Sequence, residues 1–410
     1  MTAALSHLKV LDLSRVLAGP WCTQMLADLG ADVVKVERPL LGDDTRHWGP
    51  PFLKNTQGED TEHASYFTAA NRNKRSITID IAKPQGQALI RRMALQSDIL
   101  VENFKVGGLA HYGLDFESLK AVNPRLIYCS ITGFGHSGPY AERAGYDLMI
   151  QAMSGMMSIT GKPDGEPMRV GVALTDLFTG VYATSAILAA LEVRNRTGVG
   201  QHIDMALLDV GMAILANQAA GFLNTGQSPK RQGNSHPSLV PYRDFETQDS
   251  AMLLAIGNDG QFARFCTVAG HPDWAADPRF HTNTERIRHR DTLEAMVQAV
   301  TRTRTTAQWI ADLEHHAVPC GPINSVAEAF ADAQVQSRGL AVTQPTSVAA
   351  QADTAIASIG SVASPLRLAD NPPVLHRAPP ALGEHTDELL REWGWDADAI
   401  AQLRQQGVVG

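Results

Sequence analysis

The chain has 410 residues, a formal net charge of −8 at pH 7, 44% hydrophobic and 19% charged residues. Such a length outgrows one core and predicts two domains of ordinary globular, enzyme-like composition, while the acidic balance argues against a nucleic-acid binder. The four cysteines, Cys22, Cys129, Cys266 and Cys320, are scattered and form no CxxC pair, which argues against a disulfide framework or a zinc site.

The segment LKVLDLS (8–14) is apolar and β-rich and ends at a Ser-Arg turn. Gly19-Pro20 then opens a helical pattern through Met25, Leu26 and Leu29, with Gly30 placed as its C-cap. ADVVKVE (31–37) follows as a second strand, completing a βαβ unit and predicting a parallel sheet. Further strands are predicted at RSITIDI (75–81), SDILVEN (97–103) and LIYCSIT (126–132), with a helix over KPQGQALIRRMALQ (83–96). The alternation reads as a Rossmann-like, doubly wound domain. Apolar helices are predicted from about Leu177 to Arg196, ending at Gly198, and from about Met205 to Leu223. NTGQSPKRQGNSHPSLVP (224–241) reads as a polar linker, after which AMLLAIG (251–257) begins a smaller α/β region ending near VPCGPINSV (318–326). A Pro-rich loop, NPPVLHRAPPALGEH (371–385), leads to a final short helix. The N-terminus lacks the long apolar stretch of a signal peptide, and no segment reaches the ~20 apolar residues of a membrane span; a soluble, cytoplasmic protein is expected.

Several residues stand out as chemistry. Asp176, in VALTDLFTG (172–180), precedes a long apolar helix. An Asp there is ordinarily a helix N-cap. It is also where a carboxylate nucleophile would sit, since a helix N-terminus favours the ionised form. Arg38 ends the second strand, where open α/β sheets bind ligands, or it is a surface arginine paired with Glu37 or an acidic loop residue. The NRNKR cluster (71–75) is either a solvated edge or a phosphate contact. Asn103-Phe104-Lys105 follows a strand end, where an aromatic ring and a cation can hold a base and a phosphate. GFGHSG (133–138) matches GxGxxG but comes late in the domain and is followed by Pro139; a glycine-rich loop with close backbone approach is expected instead of a dinucleotide site. Tyr146, Arg169 and His236 read on their own as surface, boundary or loop residues, and the histidines show no metal-ligand spacing.

Taken in order, RVLAGP, KVERP, NRNKRS, VENF, ITGFGHSGP and VALTDLFTG resemble the blocks of the family III CoA-transferases, nearly end to end from Leu8 to LGEHTDELL (382–390). Within that group the chain looks closest to the succinate–hydroxymethylglutarate (glutarate) CoA-transferases, through GDDTRHWGPPF (42–52), PMRVGVALTDLFTG (167–180), GNSHPSLVPY (233–242) and VPCGPIN (318–324). The resemblance implies that Asp176 is the nucleophile of an aspartyl-CoA route between a succinyl-CoA-like donor and a small dicarboxylate. It also implies coenzyme A as substrate, with no permanently bound cofactor and no metal. CoA contacts carried over by motif are Leu17, Ala18, Arg38, Ile79, Asn103, Phe104 and Lys105, with His111 where the family often has a cation. Arg169, then Arg15 and Arg46, are the expected cations for a distal carboxylate, and Tyr146 and His236 are expected near the acid. Leu17 stands where formyl-CoA transferases carry Gln, and GNSHP replaces their four-glycine loop, which argues against oxalate or formate.

An acyl-CoA racemase of the same fold is the alternative, but its AGHD reads AGYD (144–147) here, so Tyr146 replaces the histidine base. A non-catalytic acyl-CoA-binding protein is the weaker rival. The resemblance further implies an interlocked, ring-like homodimer. The corresponding layout is a large Rossmann-like CoA-binding domain over 1–200, a helical linker over 201–225 and a small α/β domain over 226–326. A second linker over 327–345 and a returning C-terminal part over 346–410 complete it.

Overall fold

The computed structural model describes residues 3–346 and 355–410; residues 1–2, and residues 347–354 within the predicted returning part, lie outside the described residues. The chain divides into two compact units: Met1–Met156, Val170–Leu223 and Gln334–Gly410 form one, and Met157–Arg169 with Asn224–Ala333 form the other.

In the large unit six parallel strands form one sheet: β1 (Lys9–Asp12), β2 (Asp32–Glu37), β3 (Lys74–Thr78), β4 (Ile99–Glu102), β5 (Ile127–Thr132) and β6 (His202–Ala206), in the order β3-β2-β1-β4-β5-β6. Every residue of β3, β4 and β5 is buried, as a parallel sheet covered on both faces requires. Alternate side chains feed two cores. Leu11, Val34, Val36, Ile77 and Leu100 pack with Leu389, Leu390, Ile400 and Val408 of the returning C-terminal segment. Val10, Val33, Ile99, Val101, Ile127 and Cys129 pack on the other face with helices α1 (Ala18–Asp28) and α2 (Leu174–Thr197). Fully burying one such Leu or Ile contributes roughly 1.5–3 kcal/mol.

Helix α1 ends where predicted, with Gly30 at φ 99°, and α2 ends at Gly198 with φ 78°. Gly180 permits the close crossing of the two helices: a Cβ there would lie 2.9 Å from the Ala18 carbonyl oxygen and from Trp21. That crossing fixes Leu17 and Ala18 near the start of α2.

Three readings change. Residues 201–225, read as a helical linker, carry β6 and then helices Leu207–Ala213 and Ala216–Thr225; the predicted helix from Met205 begins inside the strand. No glycine or proline separates this strand from its helix, so the apolar run gave no boundary signal. The NRNKR cluster is neither a solvated edge nor a phosphate contact, because Asn71, Arg72, Asn73, Lys74 and Arg75 are all buried. Finally, α2 is long and apolar enough, by length and composition, to cross a membrane, contrary to the reading that no segment approaches this. Its buried face, through Thr179, Gly180, Ala183, Thr184, Ile187 and Ala190, is part of the large unit's core packing.

The small unit holds a three-stranded antiparallel sheet with Ala251–Ala255 between Tyr242–Glu246 and Cys320–Pro322. Phe262, Phe265, Trp309 and Leu313 fill its own core.

Candidate active site

The strand order of the large sheet reverses between β1 and β4, which opens a crevice at their C-terminal ends. The two loops leaving these strands are tied together by one side chain. The Arg15 amide donates to the Asn103 Oδ1 at 2.9 Å, and the Asn103 Nδ2 donates to the Arg15 carbonyl at 2.7 Å. Asn103, expected as a ligand contact, thus spends its amide group on positioning the crevice. One residue on, Val16 adopts φ 71°, an unfavourable conformation for a β-branched side chain and a sign of strain held by its surroundings. The holder is Asp43, whose carboxylate accepts from the Val16 amide at 3.2 Å and pairs with Lys35 at 2.9 Å, both side chains fully buried. Burial alone would raise the Asp43 carboxyl, but the Lys35 charge and the Thr45 hydrogen bonds hold it down at about 2. The strained turn delivers Leu17 and Ala18 to the crevice wall.

Asp176 is the third residue of α2, within its first turn rather than at its N-cap. Ala173 occupies the cap position and offers no side-chain hydrogen bond. The capping group comes from elsewhere in the chain. Asp147, at the start of the helix Asp147–Met153, accepts from the Thr175 amide at 2.8 Å, the Thr175 hydroxyl at 2.6 Å and the Asp176 amide at 3.4 Å. Its other oxygen accepts from Gln151 at 2.7 Å. In the sequence Asp147 is only the last residue of AGYD (144–147); its capping role has no local signature because it acts across 29 residues.

The consequence for Asp176 is electrostatic. The helix N-terminus favours a carboxylate. Burial opposes ionisation, and the neighbouring Asp147 charge adds to it, so the Asp176 carboxyl is raised to about 7. The balance thus goes against the helix dipole, the reverse of the sequence expectation. A carboxylate of that basicity is also a stronger nucleophile than an ordinary aspartate.

Asp176 lines a cavity of about 460 Å³ together with Arg15, Leu17, Ala18, Trp48, Asn103, Phe104, Lys105, Arg143 and Tyr146. A second cavity, of about 470 Å³, is lined by Arg38, Ile79, Asp80, Tyr112 and others, and shares Arg15, Phe104 and Lys105 with the first. Two adjoining cavities with common walls suit one elongated ligand. Arg38 and Lys105 are exposed and make no ion pair among the described residues, so Glu37 is not the partner of Arg38. Arg15 pairs with Asp44 at 3.2 Å and sits 5.5 Å from the Phe104 ring centroid.

Gly133 and Gly145 meet backbone to backbone beside this cavity. A Cβ on Gly133 would lie 2.5 Å from the Gly145 Cα, so GFGHSG does serve a close approach, against AGYD rather than against a nucleotide. This contact sets Tyr146 and Asp147. Gly145→Ala is expected to displace both and lower turnover at least about tenfold by misplacing the site; steady-state kinetics on the folded variant check it, and unchanged turnover would remove the contact from the site's support.

Of the other expected residues, Arg46 is not free. Its guanidinium forms a buried bidentate pair with Glu37 at 2.7 Å and donates to the Pro380 carbonyl. His111 is exposed in a short turn, Ala110–Tyr112, with its ring against Tyr112. Arg169 and His236 belong to the small unit, where Arg169 is exposed and the His236 Nδ1 accepts from the Ser238 amide at 3.0 Å. Trp48 and Arg143 line the Asp176 cavity without having been singled out. Trp48 packs edge-on against Tyr66 at 5.4 Å.

The CoA-transferase family III model matches residues 5–386. A succinate–glutarate CoA-transferase of Agrobacterium fabrum is 51% identical over 388 residues, covering 95% of each chain. A succinyl-CoA:glutarate CoA-transferase of Homo sapiens is 41% identical over 411 residues, covering 99% of this chain and 90% of that one. Among solved structures, a CAIB/BAIF family protein from Brucella suis is 49% identical with a TM-score of 0.84, covering 96% of this chain and all of that one.

Proposed function

Because the chain belongs to CoA-transferase family III, whose members act on CoA thioesters, we propose that it moves CoA from succinyl-CoA to glutarate or a similar C5–C6 dicarboxylate, with Asp176 as nucleophile. The substrate pair follows the names of relatives up to 51% identical over most of the chain. The observation that carries the mechanism is a half-buried carboxylate beside Asp147 in one of two adjoining cavities, the other lined by Arg38 and Lys105, which make no ion pair among the described residues.

In this reading an Asp176 oxygen attacks the succinyl thioester carbonyl, the C–S bond breaks, and CoA leaves as the thiolate. The resulting mixed anhydride is attacked by that thiolate at the Asp176 carbonyl. Succinate leaves with the C–O electron pair and an aspartyl-CoA thioester remains. The acceptor carboxylate attacks this thioester, and the same two steps in reverse release the new acyl-CoA and restore Asp176. No proton is consumed, and the thioester bond energy is conserved through covalent half-steps. Leu17, Ala18 and Ile79 would shape the CoA path, with Phe104 against the base. Arg15, Arg38, Lys105 and His111 would meet its phosphates, and Tyr146 the acid. The racemase alternative loses support from Asp147, whose two oxygens are both engaged in holding α2 and Gln151.

We also propose a homodimer, interlocked as in the family. It is supported by the apolar stripe Phe178, Val181, Tyr182, Leu188 and Val193 left exposed along α2. Sedimentation at micromolar concentration tests it; a monomer would refute it.

The acylation half-reaction should follow the Asp176 titration. Its rate is expected to rise about tenfold per pH unit below about 7 and to level off above, because only the ionised form attacks. Asp147→Asn removes the lesser cause of the shift and should move the midpoint partway toward lower pH. A profile flat from pH 5.5 to 8 would contradict this.

A further inference from the structure

We infer that Arg143 binds the carboxylate of the acid that is distal to the reacting one, and so sets the preference for dicarboxylates; this rests on the transferase reading of the Asp176 cavity. The cations around the two cavities sort by position. Arg38 lines only the second cavity, and Arg15 and Lys105 line both, so these follow the ligand that spans them. Arg143 lines only the Asp176 cavity. It is therefore the cation left for a small acid that meets Asp176 alone.

Its chemistry is suitable. The guanidinium lies 4.5 Å from the Tyr140 ring centroid and 5.3 Å from that of Phe134, so two aromatic faces orient its plane. Arg143 is exposed and makes no ion pair among the described residues, which leaves its donor fork open to a carboxylate. Of the arginines expected for this role, Arg46 is committed to Glu37 in a buried bidentate pair and Arg15 to Asp44, while Arg169 belongs to the small unit and lines neither cavity. The acidic side chains on the same wall are Asp44, already paired with Arg15, and Glu142. Glu142 beside Arg143 disfavours a free anion at random positions, so a fixed, bidentate geometry is what selects the ligand.

The test uses the full chain with a neutral donor, acetyl-CoA, so that only the acceptor carries a distal charge. Arg143→Ala is expected to raise the KM for glutarate roughly 10- to 100-fold, the range for losing a charge-assisted hydrogen-bonded pair, with a much smaller change in kcat. Arg143→Lys should recover part of the loss, since the charge remains but the fork does not. Arg143→Glu should abolish glutarate use and favour 5-aminopentanoate, whose distal group is an ammonium. A glutarate KM within twofold of the unaltered protein in Arg143→Ala, or no change of acceptor preference in Arg143→Glu, overturns the inference. Formation of the aspartyl-CoA species from acetyl-CoA is followed in the same variants. If it proceeds normally while acceptor preference is unchanged, Arg143 is wrong and the nucleophile reading stands. If the unaltered protein forms this species from neither acetyl-CoA nor succinyl-CoA, the nucleophile reading itself fails.

Discussion

Replacing Asp176 by asparagine is expected to abolish CoA exchange, by at least about 10⁴-fold, while CoA still binds. The amide cannot form the anhydride or the thioester, and the cavity walls that meet CoA are left intact. The same substitution should make the protein more stable. In the folded chain the Asp176 carboxyl is raised to about 7 by burial and by Asp147, against an ordinary value of 3.8. A raised acid destabilises the fold above its unfolded pKa, because the unfolded chain ionises more readily. The gain from Asp176→Asn should therefore be near zero at pH 4, grow up to about pH 7 and stay constant above. Its size at pH 8 should be about 2–4 kcal/mol, allowing for partial solvent screening. Denaturant titrations at several pH values check this; an asparagine variant less stable at pH 8 would mean that the carboxylate is better satisfied than its surroundings indicate.

Lys74→Met should be among the most destabilising single changes, at about 3–5 kcal/mol. Lys74 and Asp12 are fully buried and paired at 3.0 Å, and the Lys74 ammonium also donates to the Pro20 carbonyl and to Asn71. Burial on its own would raise the Asp12 carboxyl, yet the charges of Lys74 and Lys35, with hydrogen bonds from Ser14 and Thr23, hold it below the ordinary value. Without Lys74 the carboxylate keeps its desolvation cost and loses its nearest cation. Its pKa then rises, so the deficit should shrink as pH falls from 7 toward 5. Removing both charges, in Asp12→Asn/Lys74→Met, should recover at least half of the loss, since a neutral pair carries no ionic desolvation cost. A double variant no better than the single one would show that packing, not charge, holds this part of the sheet. Because the Asp12–Lys74 pair lies under the turn that delivers Leu17 and Ala18, its loss should also weaken CoA binding.

How much of this could be read from the residues depended on distance along the chain. The βαβ start, the parallel sheet and the glycine ends of α1 and α2 follow from local patterns, since periodicity and caps act within a few residues. The place of Asp176 at a helix start was legible from its block, although the cap position falls to Ala173. What was missed acts over long separations. Asp147 caps α2 from 28 residues away, and Lys35, Asp43 and Lys74 form buried pairs that a sequence shows only as charges in strands. NRNKR read as a solvated edge or a phosphate contact for that reason: Arg72 pairs with Asp28, Lys74 with Asp12, and Arg75 with Asp32, Glu388 and Glu392. Strand β6 was lost because its apolar residues run straight into a helix. Arg143 had no motif at all; only the cavity distinguishes it from any exposed arginine.

The central claim is that Asp176 carries CoA covalently. The most direct test mixes the protein with succinyl-CoA, traps with hydroxylamine, and reads intact mass and peptide maps. The account predicts a CoA-bearing species that hydroxylamine converts to a hydroxamate on the peptide containing Asp176, absent in Asp176→Asn. CoA exchange that proceeds with no adduct, or with the hydroxamate on another residue, would contradict it.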